Sequence, residues 1–140
     1  MSNIQFYALS GDTCRHGDIE SNSTRVLVVN HAFHDKHEVF EWYAGRLYFP
    51  NWFGRNWNAF RDILSDLDTM FPEQFNTFIL LHRAYPLLPE KDLYVYINIL
   101  NDLVGIWKEP PERLKRDFTV LFPKHDEEKI REVLSRIDNV

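Results

Sequence analysis

The sequence predicts an α/β fold: a small three-stranded parallel sheet packed with helices, with an added N-terminal segment and C-terminal helix. Three observations predict it. Arg25-Val26-Leu27-Val28-Val29, Thr77-Phe78-Ile79-Leu80-Leu81 and Phe118-Thr119-Val120-Leu121-Phe122 are short apolar runs without alternation, as in strands buried on both faces. Segments with helical apolar spacing separate them, which is the pattern of parallel strands joined by right-handed crossovers. No internal repeat or low-complexity tract interrupts the 140 residues, a length suited to one domain spanning 1–140.

Taken in order, Ile4 to Leu9 reads as a short strand and Ser10 to Thr24 as a long polar loop. After the strand at 25–29, Asp35 offers a helix N-cap. Val39, Phe40, Tyr43 and Ala44 follow at helical spacing until Gly45 and Pro50 end the pattern. Asn56 caps a second helix running to about Leu67, whose Trp57, Phe60, Leu64 and Leu67 share one face. The strand at 77–81 leads through Pro86 and Pro89 to a long helix over 90–107, apolar on most faces and closed by Pro110 and Pro111. Past the strand at 118–122, a helix over 126–137 carries Ile130, Val133, Leu134 and Ile137 on one face.

Composition narrows the function. With 21 acidic against 16 basic residues the chain has a net charge of −5, which argues against direct nucleic-acid binding. One cysteine excludes a disulfide scaffold, no apolar run reaches membrane-spanning length, and the first residues lack the make-up of a signal peptide. A cytoplasmic protein is expected. Ser10-Gly11-Asp12-Thr13 lacks the length and the lysine of a phosphate loop, and no serine sits in a nucleophile elbow. Cys14 and His16 lack a third, orienting group and read as surface residues. His31, His34 and His37 recur at every third residue, the basis for an alternative reading as a metal-dependent enzyme. They straddle a strand end, a turn and a helix start, so convergence on a metal is not expected. The leading reading is a protein that is not an enzyme and needs no cofactor or metal.

The informative region is aromatic and acidic. Nine aromatic residues crowd between Phe40 and Phe60: Phe40, Trp42, Tyr43, Tyr48, Phe49, Trp52, Phe53, Trp57 and Phe60. Opposite the apolar face of the second helix, Asn58, Asp62 and Asp66 recur at four-residue steps. From Asp62 through His82 the chain carries Asp62, Asp66, Asp68 and Glu73 with no lysine or arginine. Like charges without partners repel, which favours a cationic group arriving from outside. Phe40, Tyr43, Trp57 and Phe60 belong to core faces. Trp52, with Phe49 or Phe53, is left on a Pro/Gly-punctuated loop beside the acids, a recipe for a protein-binding surface.

The segment Phe49-Pro50-Asn51-Trp52-Phe53-Gly54-Arg55-Asn56-Trp57-Asn58-Ala59-Phe60-Arg61-Asp62-Ile63-Leu64 resembles the motif of the barstar family of ribonuclease inhibitors. That motif is a proline, an aromatic pair, Gly, any residue, Asn, an apolar residue, Asp, Ala, and a second Asp four residues after the first. The order of elements agrees too, and the resemblance covers about 25–122, leaving 1–24 and 123–140 as additions. It implies a protein that binds a cognate nuclease and plugs its active site with acidic side chains in place of substrate phosphates. Carried over, the pocket-entering aromatic is Trp52, where Tyr is usual, and Gly54 and Asn56 match the loop. Asp62 is the principal phosphate mimic, and a further acidic contact falls near Asp102. Two positions depart. Asn58 replaces the earlier carboxylate, and Arg61 stands where the family places a Trp contact. Asp66, one turn beyond Asp62, is read from helical spacing alone as the substitute charge. The expected partner is a nuclease toxin with a cationic active site, bound by a monomer in a 1:1 complex. The alternative is a module of the same fold serving a non-nuclease protein.

Overall fold

The structure, a computed structural model, describes residues 3–8, 24–67, 75–109 and 116–138. Cys14, His16, Asp68, Glu73, Pro110, Pro111 and the side chain of Ile137 lie outside the described residues. The elements are β1 (Gln5–Tyr7), β2 (Thr24–Val29), α1 (Lys36–Leu47), α2 (Trp57–Ser65), β3 (Thr77–His82), α3 (Glu90–Ile106), β4 (Asp117–Pro123) and α4 (Glu127–Asp138), the last entered through a 3-10 turn over Lys124–Asp126. No described helix is long and apolar enough to cross a membrane.

The sheet is parallel throughout, in the order β1-β4-β3-β2, so it has four strands and not three. The fourth comes from the N-terminal run: β1 lies on the free edge of β4, with Gln5 opposite Leu121, Phe6 opposite Phe122 and Tyr7 opposite Pro123. Three half-exposed residues give no periodicity that would place them in a sheet. Long-range contacts hold them instead. The Tyr7 hydroxyl donates to the His82 carbonyl at 2.5 Å, and the Asn3 amide donates to Asn101 Oδ1 of α3 at 2.7 Å. The C-terminal addition packs as well: Ile130, Val133 and Leu134 are buried, and Arg131 lies over the Phe6 ring.

The helices start where the sequence places their caps. Asp35 accepts from the Glu38 amide and Asn56 Oδ1 from the Ala59 amide, each at 2.9 Å, satisfying amides that a helix start leaves free. The end of α2 differs from expectation. Leu67 is fully buried, as its spacing predicts, but Asp66 leaves the helix at φ −119°, ψ 23°. Distant donors close that end: Trp107 Nε1 donates to the Leu64 carbonyl at 2.9 Å and an Arg116 guanidinium nitrogen to the Ser65 carbonyl at 2.6 Å. The guanidinium also covers the Trp107 ring at 4.4 Å. Trp107→Phe, which keeps a ring but loses the donor, is expected to lower the unfolding free energy in urea by about 1–3 kcal/mol.

Between α1, α2 and α3 the core is aromatic. Phe40 meets Trp57 at 4.9 Å and Tyr43 meets Phe60 at 4.9 Å, both edge-on, the arrangement ring quadrupoles favour. Under this layer the Tyr43 hydroxyl contacts the Tyr96 hydroxyl at 2.7 Å, and that hydroxyl contacts Nε2 of the buried His82 at 2.9 Å. Burial pushes both phenols up from their ordinary range.

Candidate functional site

The loop between α1 and α2 is held by ring packing and backbone hydrogen bonds. Of the nine aromatics between Phe40 and Phe60, Phe40, Tyr43, Phe49, Phe53 and Phe60 are buried, and Trp42 and Trp57 are half-buried. Phe49 and Phe53 pack edge-on at 5.0 Å, and Phe53 meets Phe40 at 5.8 Å. Neither therefore stands at the surface beside Trp52, as the sequence reading had one of them do. The second exposed aromatic is Tyr48, at 82% exposure against 75% for Trp52. Hydrophobicity could not choose among these rings, because an irregular loop has no period.

The loop backbone is fixed at both ends. Tyr48 ends α1 in the left-handed conformation (φ 53°, ψ 52°), with its amide and that of Phe49 both donating to the Ala44 carbonyl. Glycine or asparagine is the usual residue there, and a branched-off ring costs of order 1 kcal/mol. Arg55 is left-handed too (φ 49°), and its Nε donates to Glu41 Oε1 of α1 at 2.6 Å. This hydrogen bond and ion pair hold the Glu41 carboxyl below its ordinary range. Gly54 is demanded by close approach: a Cβ there would lie 3.0 Å from Asn56 Nδ2, which donates to the Gly54 carbonyl. A larger residue would displace the side chain that caps α2.

On α2, Asn58 and Asp62 are exposed and one turn apart. Among the described residues, no hydrogen bond or ion pair engages the Asp62 carboxylate. Asp66 is exposed just past the end of the helix, so it leaves the regular stripe on which the sequence placed it. Asp102 on α3 is half-buried and faces Arg61 across the two helices at 3.7 Å. The structure thus gathers Trp52, Gly54, Asn56, Asn58 and Asp62 on one loop and helix start. Asp102 comes in through an arginine that sequence reasoning noted only as a departure. Asp92, which accepts from Trp57 Nε1 at 3.3 Å, is a neighbouring acid that the sequence reading missed. Its position in the first turn of the long helix was the available signal.

The histidines form a different arrangement. His31 Nε2 and His34 Nδ1 lie 3.0 and 3.5 Å from the same Glu38 oxygen, while His37 meets the Phe40 ring. Among the described residues no three or more His, Cys, Asp or Glu side chains converge as a metal site would require.

The loop, the asparagine cap and the helix bearing Asp62 all lie within the span that a known family model matches. That model, Barstar (barnase inhibitor), matches residues 24–123. The chain belongs to the barstar family. The match runs from the first residue of β2 to the last of β4, so it takes in the loop and α2 and leaves β1 and α4 outside. Nothing matches among curated proteins or among solved structures. Members of the barstar family are inhibitors and not enzymes.

Proposed function

We propose that the protein inhibits a cognate nuclease, most plainly a ribonuclease toxin, by occupying its cationic active site and so protecting the producing cell. The observation that carries this reading is the Asp62 carboxylate, exposed and without a partner among the described residues, on a helix whose opposite face is buried in the core. Such a charge is presented before the partner arrives, so little ordering cost is incurred on binding. Trp52 supplies the ring that loses water on contact. Complementary charge steers encounter and raises the association rate, and added salt screens it. Asn56 and Gly54 serve by holding the loop on the helix. Asn58, Asp66 and Asp102 lie on the flanks of the proposed contact, which is a 1:1 complex of monomers in the cytoplasm.

The test is capture from the producing cell on the immobilised protein at low salt, followed by elution at high salt and an assay of the eluate on RNA and DNA. The expected result is a small basic nuclease whose activity the free protein abolishes. One observation favours a second reading, a module of this fold with a non-nuclease partner. Asn58 and the Arg61–Asp102 pair leave the face with fewer free acids than the family pattern. An eluted protein without nuclease activity, bound through the same loop, would select that reading.

A further inference from the structure

Tyr48 is the most exposed large hydrophobic side chain of the described residues and buries little of itself in the fold. Its backbone nevertheless holds a conformation that glycine or asparagine adopts with less strain. Leu47 and Phe49, on either side, turn inward and are buried, so the ring is held out by two anchors and by the amides donating to the Ala44 carbonyl. Four residues on, the same loop holds Trp52 outward. Scattered surface tyrosines are ordinary. One kept in a strained conformation, on the loop that carries the proposed anchor, has its use outside the fold.

We infer that Tyr48 is a second aromatic anchor of the partner surface, contacting an apolar patch beside the nuclease's cationic cleft. The inference rests on the inhibitor reading and adds a residue to it that the family motif does not include. Tyrosine suits the role, because it brings a large amphipathic surface with few side-chain rotations to freeze. Ring contact is short-ranged and little screened, so Tyr48 sets affinity through dissociation, whereas Asp62 acts through both charge and contact.

Stability and binding should therefore move in opposite directions at this position. The experiment uses Tyr48→Gly and Tyr48→Asn in the full chain, with Asp62→Ala and the parent alongside. Melting temperature is measured, together with Kd for the nuclease eluted in the capture experiment, at low and high salt. Both Tyr48 variants are expected to melt at or above the parent temperature and to bind about 10- to 30-fold more weakly, by a factor that salt does not change. Binding within twofold of the parent in both variants, or melting lowered in both, overturns the inference. If Asp62→Ala weakens binding while the Tyr48 variants do not, the inhibitor reading stands and this one falls. If the parent binds no nuclease, both fall.

Discussion

Asp62→Ala is expected to weaken binding to the nuclease by about 30-fold or more while leaving the fold untouched, the effect of truncating a residue that dominates an interface. The family's founding complex is one of the standard cases behind that range. The fold should not notice the change, because the carboxylate is exposed and engages no described residue. Surface substitutions of that kind stay within about 0.5 kcal/mol. Two kinetic signatures separate a contact residue from a general charge effect. The dissociation rate should rise, since cations left facing no anion in a desolvated cleft destabilise the complex. The association rate should fall and lose part of its salt dependence. Surface plasmon resonance at several salt concentrations reads both, and unchanged protection in cells co-expressing the nuclease would remove Asp62 from the site. Trp52→Ala makes the matched control for the apolar side. With three-quarters of the ring already exposed, it should lose affinity without losing melting temperature.

What the sequence could show followed from periodicity and local chemistry. Continuous apolar runs identified β2, β3 and β4 as parallel strands, though β2 lies at the sheet edge and buries only Val29, not the whole run as expected. Asp35 and Asn56 marked helix starts, because a cap is a contact across three residues. Long-range chemistry was illegible. Nothing near Gln5–Tyr7 announces that the free edge of β4 lies waiting some 115 positions later. Nothing near Ser65 announces that Trp107 and Arg116 will take its terminal carbonyls and stop the helix short of Leu67. The site divides the same way. Gly54, Asn56 and Asp62 stand in a local motif that reads as a unit. Which loop rings turn outward depends on packing against α1, so Phe49 and Phe53 are both buried and Tyr48, which the sequence placed on neither side, is exposed. The Arg61–Asp102 pair joins two helices and changes the meaning of both residues. A departure from the family pattern and a proposed contact are here one ion pair.

The same limit hid the residue behind the second large effect, a loss of stability by about 2–3 kcal/mol as pH falls from 7 to 4.5, assigned to His82. His82 ends β3 and is wholly buried, its ring stacked on Phe122 at 3.9 Å. Nδ1 lies 3.2 Å from the Leu121 carbonyl, which can only accept, so Nδ1 carries the proton and donates it. Nε2 must then accept from the Tyr96 hydroxyl, and the Tyr96 oxygen accepts from Tyr43. Every group is satisfied only with a neutral ring. A second proton on Nε2 would turn it into a donor, reverse the Tyr96 hydroxyl and leave a buried charge with no anion beside it. Burial accordingly lowers the His82 pKa from 6.5 to about 3. The sign follows from where each state takes up its proton. The unfolded chain protonates near pH 6.5 and the native state only near 3, so this stability is complete above 6.5 and declines as pH falls through that interval. The Glu38 and Glu41 carboxyls are held below 4.5 by hydrogen bonds from His31 and Arg55, so their losses begin only below that value. The window between 6.5 and 4.5 therefore isolates the histidine among these shifted groups. Urea unfolding at pH 7, 6, 5 and 4.5 should show the decline, with a slope approaching about 1.4 kcal/mol per pH unit. His82→Gln should flatten it at some loss of stability at pH 7, because an amide can both donate and accept but takes up no proton. A parent protein equally stable across the window, or a Gln variant with the parent's slope, would refute the assignment.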